Sequence, residues 1–419
     1  MISRGSAQFS QQRGRPLCAP APRADGGRQR KDMPTVTTTD MTDAVPEGRL
    51  ESVEGANGRL TVLQVITPRR YSGAERAMTY LSEALVRRGH RVVVACKHNE
   101  LMLHELGMRG IEAEVLPIRG KFNIAAPFRI ARFARQIGAD IIHTHLSTAG
   151  LWGSLGGKFA GVPCLGHVHW LNRKHWYLFA DHLATCSHAA KEHLTRQGIA
   201  EERIAVIYNG LDQEQFLAPP DGDDVRAQLG LGRSQPVVGA VAHISPRKGH
   251  RYLVEAIKLL VSRYPDICCL IIGEGRNEKD LRQMISRMGL EHNVRMLGYR
   301  HDAVSLLKAV DVAVLPSLRE GLGIALIEAG FLAKPTVASD IPGINEVVVN
   351  GETGLLVPPA DPGALADAIG RLLDDRDLAG RLGQSARRRM ETVFTLDSMA
   401  EAAEQVYRGV IDRYKARGR

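Results

Sequence analysis

The stretch DVAVLPSLREGLGIALIEAG, Asp311 to Gly330, is the place where the chain shows its plan. It begins with a short β-branched apolar run, passes through a turn holding Gly321 and Gly323, and continues as an apolar run with helical character. The pattern predicts a buried strand, a loop at its carboxyl end, and a helix that opens on glycine. Two carboxylates flank the turn: Glu320 in the loop and Glu328 in the early turns of the helix. The small residues let a ligand come close to the backbone, and the free amides of a helix start favour an anion. A carboxylate repels phosphate and only accepts hydrogen bonds, so its natural partners are hydroxyl groups. A ligand with phosphates in the middle and hydroxyl-bearing rings on both sides, such as a sugar nucleotide, suits all of these groups. Standing alone, the stretch reads equally well as a helix start decorated with acids.

The same strand–loop–helix rhythm extends in both directions. Upstream lie LTVLQVIT, HRVVVACK, AEVLPI, DIIHTH, VPCLGHVHW, HLATCS and IAVIYNG, with amphipathic segments such as AERAMTYLSEALVRRG between them. APPDGDD, Ala218 to Asp224, interrupts the pattern, which resumes with PVVGAVAHI, DICCLIIG, VRMLGY, PTVASD and GLLVP. This alternation predicts an α/β protein of two doubly wound, Rossmann-like domains, whose ligands sit at the carboxyl ends of parallel strands and in the cleft between the sheets. The expected boundaries are a disordered basic arm over residues 1–58, a first domain over 59–217, and a second over 218–396. A C-terminal helix over 397–419 is expected to pack back on the first domain.

The chain has 419 residues, too many for one core, and no apolar run of membrane-spanning length. Its net charge of +9 is not a nucleic-acid signature. Residues 1–31 hold seven Lys/Arg and one acid, Asp25, and no basic recognition helix follows. That arm lacks the apolar stretch of a secretory signal. The six cysteines form no CxxC and mostly sit in strand-like runs, as expected of buried thiols in a reducing compartment. A cytoplasmic location is the corresponding expectation.

Further segments join the opening stretch. AHISPRKGH carries Arg247 and Lys248 at a strand's carboxyl end, where cations neutralise a diphosphate. EGLGIALIE resembles the E-x7-E signature of retaining glycosyltransferases of the GT-B fold, glycosyltransferase family 4 (glycosyl transferases group 1). The likeness continues through SGAER (Ser72–Arg76), DIIHTH, GVPCLGHVH, VIYNGLDQEQF, SPRKG, IIGEG, VRMLGY and the run from PTVASDIPG to GLLVPPADPGALADAI, in order over residues 60–400.

The resemblance implies a retaining, metal-independent transferase that moves a sugar from a nucleotide-sugar donor to a hydroxyl of a glycan or lipid-linked acceptor, as in bacterial envelope polysaccharide or lipopolysaccharide synthesis. It implies no cofactor beyond the nucleotide-diphosphate sugar itself. By the same resemblance Glu320 and His169 stand at the reacting centre. Glu328 holds the ribose, Lys248 pairs with the diphosphate, and Gly73, Arg247 and the amides around Gly321, Leu322 and Gly323 complete the donor site. Two positions depart from the pattern: His243 stands where the family often has arginine, and Ser72–Gly73 replaces a double glycine. The rival readings are a nucleotide-sugar epimerase or sugar phosphorylase on the same fold, and a catalytically dead glycan-binding protein. Intact Glu320, Glu328 and Lys248 argue against the last, and His243 argues for it.

Three features stay open at this stage. His143, His145, His167 and His169 form two HxH pairs, readable as a zinc site or as polar lining of a sugar pocket. The DxD matches Asp221–Asp223 and Asp375–Asp377 follow no strand and read as solvated surface. PFRIARFARQIG (Pro127–Gly138) and WLNRKHWYLF (Trp170–Phe179) read either as ordinary packed segments or as a peripheral contact with an anionic inner membrane.

Overall fold

A computed structural model describes residues 58–418 except 69–70, 72, 119, 121 and 218–221. The expected basic arm, Ser72 and Asp221 lie outside the described residues. Seven strands make the first sheet: β1 (Thr61–Ile66), β2 (Arg91–Cys96), β3 (Glu112–Val115), β4 (Ile141–His145), β5 (Cys164–Val168), β6 (His182–Thr185) and β7 (Ile204–Val206). Six make the second: β8 (Val237–Val241), β9 (Cys268–Ile272), β10 (Val294–Gly298), β11 (Val312–Leu315), β12 (Thr336–Ser339) and β13 (Leu355–Val357). Every pairing is parallel, in the orders β3-β2-β1-β4-β5-β6-β7 and β10-β9-β8-β11-β12-β13. Both sheets are therefore doubly wound about one reversal of strand order, between β1 and β4 in the first lobe and between β8 and β11 in the second.

The central strands of the second sheet are near-continuous apolar runs because helices cover both faces of a parallel sheet, whereas β1, β4 and β5 of the first also carry Gln64, His143, His145 and His167. β9, CCLII, is buried along its whole length, and its two thiols serve as small apolar side chains. At the edge, β3 reads EAEV and is exposed at all four residues. The long C-terminal helix Leu396–Ala416 leaves the second lobe and lies against helix Gly73–Arg87 and β5 of the first. Glu404 of that helix bonds Arg88 and His90, which fastens it there. Among the described residues no helix is long and apolar enough to cross a membrane.

Candidate active site

Loops at the carboxyl ends of β1, β5, β8 and β11 supply the residues that meet between the lobes. The loop after β11 runs from Pro316 to Gly323 and feeds helix Ile324–Phe331. Gly323 occupies the N-cap with no side-chain cap, so the first amides of this helix are left for another acceptor. The loop after β8 is held on β11 by backbone contact: Leu318 N–H donates to Arg247 O at 2.7 Å. Gly249 makes this fit possible. Its φ is +68°, and a Cβ there would lie 1.8 Å from Pro316 O.

The acids sit inside this frame. Glu320 is buried, and both its oxygens accept from Lys248 Nζ, at 2.9 and 2.8 Å. The lysine expected to face a diphosphate is thus paired with the glutamate expected to face the sugar. Glu328 is buried as well, and its partner comes from the other lobe: Arg76 Nη1 lies 3.0 Å from Glu328 Oε1. That pairing holds the Arg76 guanidinium above its ordinary pKa.

Further contacts join the lobes around this frame. The Arg247 guanidinium lies 4.2 Å from the centre of the Trp170 ring. Gly321 packs so close to His169 O and Trp170 that a Cβ would sit 3.1 and 3.2 Å from them. Gly73, at the start of helix Gly73–Arg87, faces Ile324, so two helix starts point into the same space. His243 lies under Gly275 of the GEG turn. The expected site residues Gly73, His169, His243, Arg247, Lys248, Glu320, Gly321, Leu322, Gly323 and Glu328 thus come from the facing carboxyl ends of the two sheets.

Burial separates the four histidines. His143, His145 and His167 are buried beneath the cleft and do not line it; only His169 is partly exposed. Their nitrogens engage one another. His143 Nδ1 bonds the Tyr407 hydroxyl at 2.7 Å, and His143 Nε2 bonds His167 Nδ1 at 3.2 Å. His145 Nδ1 bonds His169 Nε2 at 2.8 Å, and His145 Nε2 bonds Gln64 Oε1 at 2.7 Å. The ligand atoms of His143, His145 and His167 lie within 4.8 Å of one another, a spacing that would also suit a metal. Burial, reinforced by mutual repulsion, pushes His143 down to about 3 and holds His145 and His167 well below the usual histidine range. Burial alone pushes His169 down to about 4. All four imidazoles are therefore neutral at pH 7.

Two family models match the chain: Glycosyltransferase Family 4 over residues 71–215 and Glycosyl transferases group 1 over residues 221–389. The Escherichia coli UDP-Gal:alpha-D-GlcNAc-diphosphoundecaprenol alpha-1,3-galactosyltransferase is 31% identical over 290 residues, which is 64% of this chain and 75% of that protein. The chain belongs to the group 1 glycosyltransferases. A second relative of this transferase is the alpha-D-kanosaminyltransferase of Streptomyces kanamyceticus, 29% identical over 67% of this chain and 79% of its own. Among solved structures, Alr3699/HepE of Anabaena, crystallised with UDP and glucose, superposes with a TM-score of 0.75. It is 24% identical over 84% of this chain and all of its own, and it supports the GT-B fold.

The candidate site also holds residues to which the sequence reading gave no role there: Arg76 facing Glu328, Trp170 under Arg247, and Gln64 and Tyr407 around the histidines. Gln64 had one signal, a polar residue inside the otherwise apolar strand TVLQVI. The DxD matches stay apart from the site: Asp375 caps a helix through Leu378 N, and Asp223 lies 3.7 Å from Arg233.

Proposed function

We propose that this glycosyltransferase transfers a hexose-type sugar from a nucleotide-diphosphate donor to a hydroxyl of a lipid-linked glycan, with retention of anomeric configuration and without a divalent metal. One observation carries this reading. Two carboxylates, each with a cationic partner, flank an uncapped helix start at the facing ends of two sheets. The helix amides, Lys248 and Arg247 supply positive charge for a leaving diphosphate, and Glu320 and Glu328 supply acceptors for sugar and ribose hydroxyls. The acceptor class follows the E. coli relative, whose name specifies a diphosphoundecaprenol-linked sugar. Envelope polysaccharide synthesis at the cytoplasmic face of the membrane is the matching setting.

Peripheral contact with that membrane is part of the proposal. Residues 115–180 contain eight Lys/Arg and one acid, Asp140. The same stretch exposes Phe122 at 95%, Ile124 at 78% and Phe128 at 62%, with Phe128 stacked on Phe159 at 4.8 Å. Arg129 and Arg132 stand exposed on the same helix, Ala126–Gln136. Exposed aromatic rings among unopposed cations suit an anionic bilayer.

The test is a panel of UDP-, GDP- and ADP-sugars. One class should raise the melting temperature, and transfer from it to a prenyl-diphosphate sugar should persist in EDTA and give the donor's own anomeric configuration by NMR. An inverted product, or activity abolished by EDTA and restored by Mg²⁺ or Mn²⁺, would overturn the corresponding part.

A further inference from the structure

The histidine cluster has a direction. Gln64 lies on β1 opposite His143 of β4, and His145 lies opposite His167 of β5. The oxygen end of the Gln64 amide faces His145, and its nitrogen is buried without a hydrogen-bond partner. A carbonyl oxygen only accepts, so His145 carries its proton on Nε2, the atom 2.7 Å from Gln64 Oε1. A neutral imidazole has one N–H. His145 Nδ1 is therefore a bare lone pair and accepts from His169 Nε2 at 2.8 Å. That places the single proton of His169 on Nε2 and leaves His169 Nδ1 as a lone pair, and this atom is buried without a partner in the ligand-free chain.

We infer that Gln64 and His145 are positioning residues that fix His169 in the Nε2–H form, so that His169 Nδ1 offers only a hydrogen-bond acceptor to a hydroxyl of the bound sugars. The inference rests on the proposed placement of His169 at the reacting centre. It gives a reason for a glutamine in the middle of an apolar strand. An acceptor of fixed tautomer orients a hydroxyl, whereas a ring exchanging between tautomers would present a donor for part of the time and repel the hydroxyl proton. Neither Gln64 nor His145 needs to touch substrate. Each acts through the next ring.

The test uses the full chain labelled with ring-¹⁵N histidine. Long-range ¹H–¹⁵N spectra report which nitrogen carries the proton, and His169→Gln assigns the His169 signals. The expected wild-type result is an unprotonated Nδ1 on His169. Gln64→Met, which keeps the bulk but loses the acceptor, should mix the His169 tautomers and lower kcat about tenfold with donor KM unchanged, as expected for one lost orienting hydrogen bond. Gln64→Glu restores the acceptor oxygen and should restore both signals. A purely structural role would lower the melting temperature without moving the tautomer. A wild-type His169 protonated on Nδ1 overturns the inference, as does a Gln64→Met chain with unchanged tautomer and kcat. So does one equivalent of Zn²⁺ bound tightly by the cluster. The wild-type spectrum needs no variant and stays decisive if Gln64→Met fails to fold. It also separates the two readings: a chain that transfers no sugar fails the proposed function, while the spectrum still decides the tautomer.

Discussion

Arg76 and Glu328 face each other across the two lobes at 3.0 Å. Arg76 stands in the first turn of the helix after β1, and Glu328 in the helix after β11. The pair is made through Glu328 Oε1, and a carboxylate has a second oxygen that can accept from another donor. If the ribose takes that oxygen, the nucleotide is held only while the lobes stay together. Arg76→Gln should then raise donor KM about tenfold with little change in kcat, the size of one charge-assisted hydrogen bond. Glu328→Gln should do the same, and the double variant should be no worse than either single one. Fully additive losses in a double-mutant cycle would show that the two residues act separately.

The neutral histidine cluster links stability to pH. An unfolded histidine titrates near 6.5, whereas His169 and His143 in the folded chain are pushed down to about 4 and about 3. Between these values the unfolded chain binds more protons, so the folded state loses stability as pH falls from about 6.5 toward 4 and is unaffected above. Each such histidine adds at most about 1.4 kcal/mol per pH unit in that window. Melting temperature should therefore drop steeply between pH 6.5 and 5, and His167→Phe should flatten the slope. A melting temperature independent of pH over this range would contradict the burial of these rings.

The exposed patch around Phe122 and Phe128 predicts lipid selectivity. The full chain should float with vesicles of phosphatidylglycerol and phosphatidylcholine but not with pure phosphatidylcholine, and added salt should release it. Phe122→Asp with Phe128→Asp should abolish flotation and leave the melting temperature in place, since both side chains are exposed. Equal binding to neutral vesicles, or concentration-dependent self-association through this patch, would refute the assignment.

The sheets were legible because most strands covered by helices on both faces are short runs dominated by apolar residues. CCLII and VAVL announce themselves without help from their neighbours. The candidate donor-site residues drew attention for a related reason: Lys248, Glu320 and the glycines lie in local stretches at strand ends. Cross-lobe partners left no such mark. Arg76 and Glu328, or His143 and Tyr407, are far apart in the chain, and only the packing of the lobes and the return of the last helix join them. The histidines misled for a physical reason. Alternation on a strand tells which side chains share a face, not whether that face meets solvent or a covering helix. Here the helix Leu396–Ala416 places Tyr407 against His143, and both side chains are buried.

Glu320 should fail in a manner opposite to Glu328. Both oxygens of its carboxylate engage Lys248 in the free chain, at 2.9 and 2.8 Å. On the proposed reading, a donor diphosphate that takes up Lys248 would first draw it from this pair and release the carboxylate toward the sugar. Positive character then develops at the anomeric carbon, and a nearby negative charge stabilises it only in the transition state. Glu320→Gln keeps the shape, loses the charge and frees Lys248. The expected outcome is a kcat lower by roughly 10²-fold, comparable to losing another electrostatic contact of the transition state. Donor KM should stay unchanged or fall, because the diphosphate no longer competes with a carboxylate for the lysine. Thermal unfolding of the variant in saturating donor separates this from misfolding: the donor-induced rise in melting temperature should be at least as large as in the wild type. If Glu320→Gln instead raises donor KM at wild-type kcat, Glu320 is a ground-state donor ligand, and the charge at the reacting centre has another source.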